Sequence, residues 1–198
     1  RWACCALRCN RNSTPTPTPE PEPETVWSVA HRGYHPNMTT PPPHAARVSR
    51  WVLRPIDEVF DALSDPETYP TWLVGCRAIR SVDDDWPSEG ARFHHRVGLV
   101  GPLTVNDSSE ILEIDRPGHL ALEVRFRPAG RGRVDFWLAS DPAPAGSVRT
   151  RIDMDEAPIG LIAPTAPLLG PLTKGRNRAS LNSFVAYLNE HPSRHGPT

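Results

Sequence analysis

His94 and His95 stand side by side in a 198-residue chain, and a histidine pair invites a metal reading. Adjacent residues on a strand point to opposite faces, so the two rings cannot close on one ion. His95 shares its parity with Phe93 and Val97, which places it on an apolar face as a candidate acid, base or hydrogen-bond donor near a bound carbonyl. A core or rim histidine bonded to a neighbour explains the same pattern. Glu156 has the inward parity of Met154, where strand-like sequence gives way to an apolar stretch. It would line a pocket or hold a salt bridge at a helix entry. Asn177, four residues before Leu181 on a helical stripe, would point an amide inward. Asp83, Asp84 and Asp85 read as a solvated turn. Cys4, Cys5 and Cys9 cluster near Trp2 without a second ligand pair at zinc-finger spacing, and Cys76 stands alone farther on, so neither a metal centre nor an internal disulfide is expected. The sequence contains no Gly-x-Ser-x-Gly elbow, no His-Glu-x-x-His, no P-loop, no Gly-x-Gly-x-x-Gly after a strand and no Cys-x-x-Cys. An enzyme made from these residues would work by posing a substrate against one or two polar groups, with no cofactor.

The elements that position these residues follow from composition and periodicity. An apolar content of 38% over this length suits one domain with a tail. A net charge of -1 and the lack of a basic run disfavour nucleic acid. No window approaches the roughly 20 apolar residues of a membrane span. A reducing cytoplasm is the expected compartment. Residues 1–44 hold nine of the 24 prolines, including the run Thr14 to Glu24, and are expected to be a disordered tail. Met38 is a candidate natural start, and the sequons at Asn12, Asn37 and Asn106 read as chance. The domain is expected over 45–191, with 192–198 disordered.

Within it, Arg47 to Arg54 reads as a strand ending at Pro55, and Ile56, Val59, Phe60 and Leu63 form the apolar face of a helix. Asp65 to Trp72 reads as a second short helix broken by Pro70. From Cys76 the period becomes two, predicting strands over Arg77–Val82, Ala91–Leu99, Leu103–Asp115, His119–Arg127, Arg131–Ala139 and Ser147–Glu156, joined by short turns as an antiparallel meander. Leu120, Leu122, Val124 and Phe126 share an inner face with Val134, Phe136 and Leu138, and with Val148, Thr150, Ile152 and Met154. Glu123, Arg125 and Arg127 fall on the outer one. Ile111, Leu112 and Ile114 disagree in parity, which predicts a bulge. Leu181, Phe184, Val185 and Leu188 form the stripe of a closing helix. Before it, Pro158, Pro164, Pro167 and Pro171 interrupt an apolar stretch and predict an irregular, movable lid.

The order of strand, two short helices, six-stranded meander and long last helix resembles the START-like helix-grip superfamily (SRPBCC), in particular its polyketide cyclase/dehydrase branch. Arg54 to Trp72, Glu113-Ile114-Asp115-Arg116-Pro117 and Arg176 to Leu181 carry the likeness, which spans about residues 46–190. It implies an α+β fold: a curved antiparallel sheet of about seven strands around a long C-terminal helix. It also implies a pocket between that sheet and the helix. The candidate lining is Trp72, Phe93, His95, Val97, Leu122, Val124, Phe126, Phe136, Ile152, Met154, Glu156, Leu168, Leu172, Asn177 and Leu181, although a sealed core would use the same apolar residues. The leading reading is a binder of an apolar or aromatic small molecule, lipid, polyketide or quinone-like. The alternatives are an aromatase/cyclase or dehydratase using His95, and a regulatory interaction protein without ligand. The residues leave the oligomeric state open.

Overall fold

A computed structural model describes residues 46–98, 103–126 and 130–191. The expectations for the proline-rich tail, the early cysteines and the last seven residues lie outside that range. Strand β1 (Val48–Val52) buries Val48 and Val52 and leaves Ser49 and Trp51 outward, the alternation expected of a half-buried strand. Pro55 then precedes α1 (Ile56–Leu63), where Asp57 and Glu58 sit at the positive end of the helix dipole and Val59, Phe60 and Leu63 are buried. Asp65 caps a 3-10 turn (Pro66–Thr68) by accepting from the Glu67 N–H at 3.1 Å. It runs directly into α2 (Tyr69–Trp72). Pro70 does not break this pair: it occupies the first turn of α2, where its missing N–H costs nothing.

Six strands follow: β2 (Cys76–Val82), β3 (Arg92–Gly98), β4 (Thr104–Asp115), β5 (His119–Phe126), β6 (Gly130–Pro142) and β7 (Val148–Ile159). With β1 they form one antiparallel sheet in the order β1-β7-β6-β5-β4-β3-β2. The first strand therefore returns to pair with the last, and β1 and β2 form the edges. The expected bulge in β4 is present, since Ile111 pairs with Leu122 but Glu113 with Ala121, leaving Leu112 over. The irregularities of β2, between Cys76 and Ala78 and between Ile79 and Ser81, were not legible in its short sequence. Inner-face parity holds for Phe93, His95, Leu120, Leu122, Val134, Phe136, Leu138, Thr150, Ile152 and Met154, all buried. Val148 has the same parity but lies exposed at the start of β7, where the sheet ends.

The last helix corrects the sequence reading. A short 3-10 segment (Gly160–Thr165) holds Pro164, but α3 runs unbroken from Ala166 to Glu190. Pro167 falls in the first turn, whose N–H groups have no helical partner. Pro171 alone removes an internal hydrogen bond, and one such loss bends or weakens a 25-residue helix without ending it. The buried stripe of α3 is Asn177, Ser180, Leu181, Phe184 and Leu188, with Val185 at its margin. It packs on α1, Tyr69, Trp72 and the inner sheet face as one core. Each fully buried Leu or Phe there contributes about 1.5–3 kcal/mol of transfer free energy.

The outer face of the sheet carries a buried polar cluster. The Nε2 of His119 lies 3.0 Å from Asp135 Oδ1, and its ring stacks on Trp137 at 3.7 Å between centroids. Arg133 donates to Asp135 at 2.8 Å and to Glu113 at 3.0 Å. Arg47 from the start of the domain covers the buried Asp155 in the same way, its Nε donating at 2.9 Å. Burial pushes the Asp135 carboxyl up, but the hydrogen bonds from His119 and Arg133 and the Arg133 charge together hold it below the ordinary carboxylate value.

Candidate functional site

Between the concave face and α3 lies a cavity of about 70 Å³. Tyr69 and Trp72 of α2 form one wall, placed by the Tyr69 hydroxyl donating to Leu63 O at 2.8 Å and the Trp72 indole N–H donating to Thr68 Oγ1 at 3.0 Å. The rings meet edge to face at 4.9 Å, and Phe93 joins Tyr69 at 5.1 Å. Alternate residues of the central strands make the floor: Phe93, His95 and Val97 of β3, Leu122 and Val124 of β5, Val134 and Phe136 of β6, and Met154 of β7. Leu73, Val74, Gly75 and Cys76, between α2 and β2, close one side. That turn is tied to α3 by the Val74 N–H donating to Ser180 Oγ at 3.1 Å. A second, more open depression of about 320 Å³ is lined by the same turn together with Pro70, Thr71, Arg77 and Ser183.

His95 is one of the polar groups of this interior. It is buried, its ring tilts against Phe93 at 5.0 Å, and its Nδ1 has no hydrogen-bond partner. Burial drives its pKa below the ordinary 6.5; Asp107, cross-strand from it, and a hydrogen bond to the Phe93 backbone pull the value up, and His94 pushes it further down. The imidazole is therefore neutral at pH 7. Ser109 and Cys76 also face the cavity, and burial raises the Cys76 thiol to about 11, so it stays protonated and unreactive.

Of the residues singled out from sequence, Trp72, Phe93, His95, Val97, Leu122, Val124, Phe136 and Met154 border the cavity. Ile152 and Leu181 are packed in the core away from it. Glu156 is buried and held by the Arg176 guanidinium, the salt-bridge role foreseen for it. Asn177 is buried, with its Nδ2 3.5 Å from Ala46 O and its Oδ1 without a partner, but it does not reach the cavity. Leu168 and Leu172, expected on the wall, point outward instead and are 81% and 76% exposed. The regular helix carries them to the side of α3 opposite its buried stripe. Of Phe126 the backbone position in β5 is described, not the side chain. Tyr69, Leu73, Val74, Ser109, Arg125 and Arg176 border the cavity without having been singled out. Arg125 had been assigned to the outer face by parity. The pairing of β5 with β6 is regular through Arg125↔Arg131, and the Arg125 Nε lies 4.0 Å from Glu123, which Arg131 also binds, so its guanidinium stays with the outer-face groups although the residue borders the cavity. Among the described residues no cluster of three or more metal-ligating side chains forms, and no helix is long and apolar enough to cross a membrane.

Residues 43–189 match the profile of a family described as polyketide cyclase / dehydrase and lipid transport. No curated protein sequence matches the chain. Among solved structures, protein NE0264 from Nitrosomonas europaea is similar at 16% identity and a TM-score of 0.53, over 73% of this chain and 93% of that one. Ara h 8.0201 is similar at 15% identity and a TM-score of 0.53, over 73% and 97%. DynU16, from the dynemicin biosynthetic locus, is similar at 21% identity and a TM-score of 0.52, over 78% of this chain and 51% of that longer one. At these identities the likeness concerns the fold.

Proposed function

The chain belongs to the polyketide cyclase / dehydrase and lipid transport family, and on that premise we propose that it binds an apolar or aromatic small molecule between the sheet and α3. The observation that carries this reading is the unpartnered Nδ1 of buried His95, a residue that borders a cavity lined mostly by apolar side chains. A buried polar atom left unsatisfied costs about 1–3 kcal/mol, and a ligand hydroxyl or a bound water on that atom removes the cost. The resting cavity of about 70 Å³ is smaller than the roughly 300–1,000 Å³ of ordinary ligand sites, so binding requires enlargement. The turn Leu73–Gly75 borders both the cavity and the more open depression, and its displacement would enlarge the space available to a ligand.

The test is titration with N-phenyl-1-naphthylamine, a neutral apolar fluorophore, against the protein and against Val134→Phe, which fills the cavity. A saturable fluorescence rise in the wild type that Val134→Phe abolishes supports the reading. Binding that survives Val134→Phe but disappears in a Leu168→Ser, Leu172→Ser double variant assigns the probe to the exposed leucines and overturns it.

A second reading rests on His95 alone. A neutral buried imidazole with an available nitrogen is a base, suited to a cyclisation or dehydration step on a polyketide-like chain. Loss of turnover in His95→Gln with probe binding retained would favour this reading; no turnover of any such chain by the wild type would remove it.

A further inference from the structure

The exposed leucines at the start of α3 stand in a stretch that carries one sign of charge. From Ala157 to Asn189 the chain contains Lys174, Arg176 and Arg178 but neither aspartate nor glutamate, although the whole sequence holds 23 acidic residues. Arg176 is neutralised by the buried Glu156, and Arg131, which lies against Gly160, is matched by Glu123. Lys174 and Arg178 are exposed and form no ion pair among the described residues. Leu168 and Leu172, four residues apart, share the face of the helix opposite its buried stripe, and Gly175 and Ala179 continue that face as small, exposed residues. Leu161 projects fully into solvent from the 3-10 segment just before α3, and Leu169 is exposed beside Leu168. None of these leucines borders the cavity or the depression beside it. They protrude from the surface, with two unmatched cations next along the helix.

We propose that this surface docks on an anionic lipid bilayer, with Leu161, Leu168 and Leu172 inserted at the acyl boundary and Lys174 and Arg178 at the head groups. Protruding leucines in an uncharged stretch, with cations at their flank, have the composition of an interfacial helix. A bilayer accepts such side chains without a shaped groove. Charge selects it over a second copy of this chain, because an isologous contact through this face would bring Lys174 and Arg178 of two copies together with no carboxylate between them. The docking surface is separate from the cavity, so it stands whether or not the cavity binds a ligand.

The experiment is flotation of the full chain with vesicles of phosphatidylcholine alone, or of an equal mixture of phosphatidylcholine and phosphatidylglycerol. Each basic side chain beside an anionic surface strengthens binding about fivefold, so the wild type is expected to bind the mixed vesicles at a lipid concentration roughly twentyfold below that needed for phosphatidylcholine, a preference that shrinks in high salt. The combined variant Leu161→Ser, Leu168→Ser, Leu172→Ser should lose flotation and keep a Tm close to that of the wild type, since all three side chains lie outside the core. The variant Lys174→Gln, Arg178→Gln should keep the leucines and lose the preference to within about twofold. No flotation of the wild type, equal flotation of the leucine variant, or an undiminished preference in the charge variant overturns the proposal. Sedimentation velocity tests the other occupant: a wild-type dimer that the leucine variant converts to a monomer assigns the face to a second copy and overturns the proposal as well.

Discussion

At His95 burial is the dominant influence on protonation, and it makes the folded state the weaker proton acceptor. The unfolded chain takes up a proton as pH falls through about 6.5, and the folded chain does so only lower down, so stability declines on the acid side of that value. Urea unfolding between pH 8 and 5 should show this decline, and His95→Leu should flatten it; an unchanged slope would mean another group is responsible. Asp135 carries the same sign through a different cause. Its carboxyl is held below the ordinary 3.8, so its stabilisation is complete above that value and is lost as pH falls through the lower folded one. Asp135→Asn breaks a buried pair and leaves Arg133 without its closest partner, which should cost about 3–5 kcal/mol at pH 7. Chemical denaturation measures that cost directly, and a loss under about 1 kcal/mol would show that the cluster is solvated. His119 and Asp135 form the most conspicuous His-carboxylate pair in the molecule, yet they lie on the face of the sheet away from the cavity. Parity alone keeps them out of the site.

The element whose behaviour departs most from its sequence is the span Gly160–Leu172. It contains no charged residue, and Leu161, Leu168 and Leu172 are exposed, Leu161 fully. Two features hold it in place. The helix continues through Pro171 despite the missing bond to Pro167 O, and Ile162 seats against Gly130 at the start of β6. Gly130 has φ +142°, and a Cβ there would lie 2.6 Å from Ile162 Cδ1, so glycine is required both by conformation and by contact. Pro171→Ala should restore one helical hydrogen bond and raise stability by roughly 1–3 kcal/mol. Gly130→Ala should displace Ile162 and speed amide exchange across Gly160–Leu172. Hydrogen exchange followed by mass spectrometry reads both changes. Equal exchange in wild type, Pro171→Ala and Gly130→Ala would show that neither feature anchors the span. If the span moves when the cavity fills, ligand should slow its exchange as well.

For the molecule as a whole, binding in an interior cavity couples ligand to folding, because the pocket exists only when sheet and helix are assembled. A ligand held at one hundred times its dissociation constant should stabilise the fold by about 2.7 kcal/mol. With N-phenyl-1-naphthylamine this should appear as a rise in Tm that grows with probe concentration. The rise should be missing in Val134→Phe. A concentration-independent Tm in the wild type would show that the probe does not select the native state.

The strand alternation, the proline at the end of β1 and the i, i+3, i+4, i+7 stripes of α1 and α3 made the element order and the inner face legible, because those features are local and backbone geometry enforces them. The β4 bulge was legible for the same reason, since Ile111, Leu112 and Ile114 could not share one side. The course of the turn Leu73–Cys76 and the outward rotation of Leu168 and Leu172 were not. Each depends on how helix and sheet dock, which no local period records. What the sequence determined by itself is the grip architecture and the apolar face on which His95 sits. Only the tertiary structure decided that this face encloses a small cavity and not a filled core. A void is the difference between summed side-chain volumes and the space their backbones define, and that difference exists only after packing.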